Sequence, residues 1–322
     1  MSNLDRRPPA RELGGRDATP AGPVLDLLPG KEVLLGESTR VRRLLPTLGR
    51  RMVGAWAFVD SYGPDDVSGG AGMQVAPHPH TGLQTVSWLL AGEVHHRDSL
   101  GSDVRIRPGE LALMTAGHGI AHSEQSPVPH PRFLHGAQLW VALPDAARET
   151  APDFAHHTAL PGFSSDGLTA TVLMGSLAGA TSPGTAHSPL VGVDLDLAAG
   201  ADVEVPLEPD FEYALLTSSG SASVEEAPLE RGTMAYLGTG RHTLRVRAAE
   251  PSRLLLLGGE PFEERIVMWW NFVGRSGEEI AEYAERWNAE DERFGAVLGY
   301  DGDRLPAPPL PPVPLRARGR VR

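Results

Sequence analysis

Residues 78–94 read HPHTGLQTVSWLLAGEV and residues 96–124 read HRDSLGSDVRIRPGELALMTAGHGIAHSE. Both stretches are made of short apolar runs, at 83–90, 104–106 and 111–114, cut by Gly, Pro, Asp and Ser. Strand-length runs separated by turn formers argue for a β-sandwich or barrel. The texture continues at 138–143, 169–174 and 191–197 and resumes at 213–216, 234–237, 244–246 and 254–257. Two halves therefore look alike in texture, though not in letters. The segment between them carries Pro144, Pro152 and Pro161, and is expected to cross from one β-domain to the other.

Ten of the 12 histidines fall between His78 and His157, a quarter of the chain. His78-Pro79-His80 opens a strand-like run, and residues two apart on an extended chain project from one face. His122-Ser123-Glu124 repeats that spacing. Three imidazoles and a carboxylate from neighbouring strands make a four-ligand N3O set with two positions left for exogenous ligands. A divalent cation would compensate the solvation that such groups lose on burial. His118, four residues before His122 in a Gly-flanked turn, is expected to be structural or solvent-exposed, with proton shuttling as the alternative. His96 and Asp98 lie in a turn rich in Asp, Ser and Gly and are expected to bond the local backbone. His95, His130, His135, His156 and His157 match no ligand spacing, and His187 and His242 stand alone in the second half, which is expected to bind no metal.

Composition removes several classes. The 322 residues hold 29 Lys plus Arg, 41 Asp plus Glu and no Cys, a formal charge of −12. Disulfides, thiolate nucleophiles, zinc fingers and iron–sulfur clusters are excluded together. The first 17 residues carry +1 and the last 22 carry +3, which leaves −16 on the body. Such a surface repels phosphate backbones, so no direct nucleic-acid partner is expected. No apolar run approaches the ~20 residues that span a bilayer, and the first thirty residues lack a signal-like apolar stretch. No membrane partner is expected, and the cytoplasm is the expected compartment.

Both ends are polar or Pro-rich. Residues 1–24 read as a disordered arm, and 306–314, PAPPLPPVP, as polyproline II within a Pro/Arg-rich tail over 296–322. One helix is legible: Ser276-Gly-Glu-Glu279 has capping-box spacing, and Ile280, Tyr283, Ala284 and Trp287 fall on one face. Its role is packing.

The quoted stretches, together with Gly72 separated by five residues from His78-Pro79-His80, QLWVALP (138–144) and PFEERIVMWWNFVGRSGEEI (261–280), resemble the pirins, a family within the cupin superfamily. The resemblance covers about 25–290. It implies an all-β bicupin: two tandem jelly-roll type barrels with a short C-terminal helix, a metal-binding domain at 25–145, a linker at 146–162 and a second cupin domain at 163–295. It further implies one mononuclear divalent metal on His78, His80, His122 and Glu124, with Fe(II) favoured over Ni, Mn, Cu, Co or Zn. Some pirins are quercetin 2,3-dioxygenases and some eukaryotic ones are iron-dependent transcriptional coregulators. The expected function is therefore flavonol ring cleavage with O2, its partners O2 and a small aromatic or enol-type substrate. The alternative is a coregulator or redox-sensing binding protein with a protein partner and no turnover. Gln84 replaces the Glu of the general cupin pattern, and Thr81 and His118 stand where pirins commonly carry Arg, which alters the charge at the pocket mouth.

Glu124 is the one assigned ligand able to accept a proton, and is expected to act as the catalytic base toward a flavonol 3-hydroxyl. Trp88 and Met114 are expected in the core, with flanking of a planar ligand as the alternative. Neither chain end has an apolar face to bury. Removing the first twenty residues and 316–322 together is accordingly expected to shift the melting temperature by only a few degrees in a thermal scan, and a large loss would show that an end docks.

Overall fold

The structure, a computed structural model, describes residues 22–35, 39–47, 49–312 and 315, together with the backbone of 11–14. Two all-β barrels of one design stand in tandem, each an antiparallel seven-stranded sheet opposed to a four-stranded one. In the first barrel the large sheet runs in the order Asp153–His157, Leu111–Thr115, Leu83–Ala91, Phe133–Ala142, Trp56–Asp66, Thr39–Leu45 and Lys31–Leu35. Its small sheet is Gln74–His80, Ile120–Gln125, Val94–Asp98 and Asp103–Ile106. The second barrel repeats the plan around Leu190–Leu197, Ser252–Gly259 and Glu212–Ser219.

The two interiors are filled differently. Strand Ala201–Pro206 alternates buried and exposed residues without a break, and its inward Val203 and Val205 join Val193, Leu195, Leu215, Leu244 and Leu256 in an apolar core. In the first barrel the corresponding space holds buried His78, His80, His96, His122 and Glu124 beside apolar Val75, Leu89 and Ile106. Trp88 and Met114 lie in the main apolar core, as expected.

Both ends of the chain cross to the far barrel, which redraws the expected boundaries. Strand Pro23–Pro29, expected to straddle the arm and the first domain, pairs with Thr233–Gly238 at the edge of the second barrel. Arg11–Gly14, expected to be disordered, pairs with Arg265–Trp269; the rest of the arm lies outside the described residues. Asp153–His157, expected within the linker, forms the outermost strand of the first barrel against Leu111–Thr115. It has too few β-branched residues to announce itself between Pro152 and Pro161. Conversely, 265–274 was expected in the second domain, yet it lies against the first: Val273 N–H donates to Thr81 O at 3.1 Å, and Trp269 and Phe272 pack with Ala121.

The helix Gly277–Asn288 forms as read, with Ser276 accepting from Glu279 N–H and Ile280, Tyr283, Ala284 and Trp287 buried. The Pro-rich tail docks on it in part. Leu305 N–H donates to Pro77 O at 2.8 Å, Trp287 Nε1 donates to Leu305 O at 2.7 Å, and Ala307 is buried. Residues 316–322 lie outside the described set.

A buried polar knot joins the barrels. Glu212 accepts from Gly54 N–H and from the Tyr236 hydroxyl, both at 2.7 Å, and the Arg50 guanidinium lies 3.5 Å over the Tyr236 ring. Gly54 sits at φ +52°, and a Cβ there would come within 2.9 Å of Gly259 Cα, so the close approach requires glycine. Beside it the fully buried Trp56 donates from Nε1 to Val191 O at 3.2 Å and Gly258 O at 3.1 Å. Trp56→Phe keeps an aromatic ring but withdraws that donor and leaves part of the indole volume unfilled, so urea unfolding should show a loss of about 1–3 kcal/mol; Trp56→Ala should lose about 3–5 kcal/mol. A Phe variant as stable as wild type would show that the two carbonyls have other donors.

Candidate metal centre

The four-stranded sheet of the first barrel carries the site. Gln74–His80 is its edge strand, the position at which Pro77 and Pro79 cost the ladder least. Alternation then turns Pro77 and Pro79 outward and His78 and His80 inward. The neighbouring strand Ile120–Gln125 pairs His122 with His78, but Glu124 with Val75. An extra residue on the edge strand is accommodated there as a bulge.

The three imidazoles meet at one point. His78, His80 and His122 are buried, and one ring nitrogen of each lies within 4.8 Å of the other two. His80 Nε2 and His122 Nε2 are 3.1 Å apart. The rings are anchored from behind: His78 Nδ1 donates to Ala76 O at 2.8 Å and His80 Nδ1 donates to Asn271 O at 3.0 Å. A carbonyl can only accept, so both rings keep their proton on Nδ1 and turn the Nε2 lone pair toward the shared point. Burial lowers the His78 pKa to about 4. Burial, joined by the neighbouring imidazoles, holds His80 and His122 well below the usual histidine range. The three rings are thus neutral near pH 7, a donor set that suits a first-row divalent metal.

Glu124 projects from the same face of its strand as His122 and is buried. Among the described residues, the mutually close ligand atoms are those of the three histidines, and the Glu124 carboxylate stands outside that group. Burial pushes its pKa up, yet the net shift is downward from the ordinary glutamate value, so it is ionised near pH 7. Tyr62, on the opposite sheet, is pushed upward first by burial and then by the charge of Glu124.

Aromatic rings wall the site from the large sheet. Trp140 meets His80 edge-on at 5.2 Å and stacks on Phe58 at 4.1 Å, and Phe154 stacks on His96 at 4.2 Å. Asp98 does bond its local turn, accepting from Leu100 N–H and Ser102 N–H at 2.9 and 3.0 Å. His96, though, reaches past the turn to His122. Of the remaining histidines, His118 is partly exposed and its carbonyl accepts from Arg293 Nε at 2.6 Å. His187 is half-buried and His242 exposed. A cavity of about 490 Å³ lined by Pro77, Ala121, Trp287, Tyr300 and Arg304 lies on the outer side of the histidine-bearing strands, because Pro77 and Ala121 alternate with His78 and His122. It is separate from the site.

Sequence reasoning missed Tyr62, Trp140, Phe154 and Asn271. Trp140 was visible in QLWVALP and Asn271 in MWWNFVG, but nothing local says that they face this barrel.

Two tandem barrels, the first with a buried three-histidine group that could hold a metal, define a bicupin. Residues 38–141 match the Pirin family and 192–295 the Pirin C-terminal cupin domain. A Pseudomonas aeruginosa protein that bears quercetin 2,3-dioxygenase as a provisional name is 48% identical over 277 residues, covering 86% of this chain and 88% of its own. A Caulobacter vibrioides pirin-like protein is 39% identical over 256 residues, covering 77% and 88%. The crystal structure of quercetin 2,3-dioxygenase from Acinetobacter baumannii superposes with a TM-score of 0.87 at 44% identity, covering 90% and 96%. The chain belongs to the pirin family. Among the described residues, no helix is long and apolar enough to cross a membrane.

His80→Ala and His122→Ala should each empty the site, while His187→Ala leaves about one equivalent of first-row metal per chain by plasma emission analysis. Loss of metal in the His187 variant would place the site in the wrong barrel.

Proposed function

We propose that the protein is a metal-dependent dioxygenase that cleaves a flavonol of the quercetin type with O2. The observation that carries this reading is the convergence of three neutral, carbonyl-anchored imidazoles beside an ionised, buried carboxylate. The names of the Pseudomonas and Acinetobacter proteins support the substrate class.

In this reading His78, His80 and His122 hold one divalent metal, iron favoured, and Glu124 joins them when its carboxylate turns toward the shared point. Bound there, the metal would supply Lewis-acid and one-electron chemistry toward a substrate oxygen and O2. Glu124 accepts the 3-hydroxyl proton of the flavonol. Tyr62, whose phenol stays protonated, lies close enough to Glu124 to feel its charge. Trp140, Phe58 and Phe154 keep the large-sheet side of the site apolar and dry. The cytoplasm is the compartment proposed.

Iron-loaded wild type given quercetin should consume O2 and release carbon monoxide. Glu124→Gln, compared at equal metal loading, should turn over ~10² to 10⁴ slower, the usual size of a lost general base. Full activity in the metal-loaded Gln variant would remove Glu124 from the base role. Absence of O2 uptake by metal-loaded wild type across a flavonol panel would contradict the flavonol reading and favour a binding or regulatory role.

A further inference from the structure

His96 and Asp98 form a chain that ends on the ring of His122. Asp98 Oδ1 accepts from Leu100 N–H and Ser102 N–H, and its Oδ2 faces His96 Nε2 at 3.0 Å. The other nitrogen of His96, Nδ1, lies 3.4 Å from His122 Nδ1. All three side chains are buried. His96 is clamped flat against Phe154 at 4.2 Å, with the planes 8° apart, so the ring has one orientation in which to relay.

The chain admits two proton arrangements. In one, His96 donates from Nε2 to the carboxylate, its Nδ1 lone pair accepts from His122 Nδ1–H, and the Nε2 lone pair of His122 is free for the site. In the other every proton is shifted: His96 donates from Nδ1, His122 receives it on Nδ1, and His122 Nε2–H donates to His80 Nε2 at 3.1 Å. The second arrangement satisfies the imidazoles without any metal and leaves His122 unable to ligate. It also sets the His96 Nε2 lone pair against a carboxylate. Two backbone N–H groups, of Leu100 and Ser102, hold that carboxylate in place, so it cannot turn away from the ring.

We propose that Asp98 and His96 are positioning residues that hold His122 in its metal-ligating tautomer, and that without them the site closes on a hydrogen bond between His122 and His80. A carboxylate fixing the tautomer of an imidazole whose far nitrogen does the chemistry is a general device. This inference rests on the metal-site reading above.

Asp98→Asn is the decisive change, because it is isosteric. With two backbone N–H groups held on Oδ1, the new amide NH2 falls on the side of His96 Nε2 and donates to it, which drives the whole chain into the second arrangement. In metal-free protein, ¹⁵N imidazole spectra should show His122 with a lone pair on Nε2 in wild type and a proton on Nε2 in Asp98→Asn. Cobalt(II) binding, measured by chelator competition, should weaken about 10- to 100-fold in the variant. His96→Phe fills the same slot against Phe154 but removes the acceptor, and should shift both readouts the same way. Asp98→Glu, which restores a carboxylate, should recover part of the cobalt affinity. An unchanged His122 tautomer in both Asp98→Asn and His96→Phe would overturn the relay. Wild type with the expected tautomer but no affinity for cobalt would instead overturn the metal-site reading while leaving the relay in place. Should Asp98→Asn fail to fold, His96→Phe alone decides.

Discussion

Neutral imidazoles brought to one buried point can turn lone pairs toward one another, and that is repulsive unless a cation stands between them or one ring turns its proton inward. His78 and His80 have no freedom to avoid this, because carbonyls of Ala76 and Asn271 fix their protons on the far nitrogen. Much of the first barrel follows from keeping that arrangement: an edge strand that tolerates alternate prolines, a bulge that offsets Glu124 from the rings, and aromatic residues on the opposing sheet that pack against the His80 and His96 rings.

The anchor on His80 comes from 191 residues away, and this gives the crossed chain ends a purpose. The segment 265–274 leaves the second barrel, lies against the first and delivers the Asn271 carbonyl to the site. The strand Pro23–Pro29 makes the opposite crossing into the second barrel. Together with the Glu212, Tyr236 and Trp56 contacts, these crossings couple the two barrels, so the apolar second barrel acts as the support on which the polar-cored first one is held. Burying five polar side chains in one interior carries a cost that the other interior, with its continuous Val and Leu packing, offsets.

The all-β fold and the histidine group were legible because both depend on local period. Alternation along 78–80 and 122–124 assigns faces without any tertiary knowledge, and capping chemistry alone placed the helix at Ser276. What escaped was whatever depends on contacts between distant segments. The pairing partners of Pro23–Pro29 and Arg11–Gly14 are set by sheet edges 200 or more residues away, and edge pairing leaves no periodic mark on so few residues. Asp153–His157 was hidden because flanking prolines signal a linker more strongly than AHH signals a strand. His96 and Asp98 were expected to bond a local turn; Asp98 does, at the end of the strand Val94–Asp98, whereas His96 lies within that strand and its ring reaches Asp98 and His122, an approach between strands that only the fold shows.

The central claim is that the shared point of His78, His80 and His122 is a metal site. Anomalous diffraction at the iron edge, from crystals grown with Fe(II) under anaerobic conditions, tests it most directly. The account predicts a single strong peak about 2.0–2.3 Å from the three Nε2 atoms, a distance ordinary for imidazole on a first-row metal. A peak elsewhere, in the second barrel or the outer cavity, or none at the histidines under saturating iron, would contradict it.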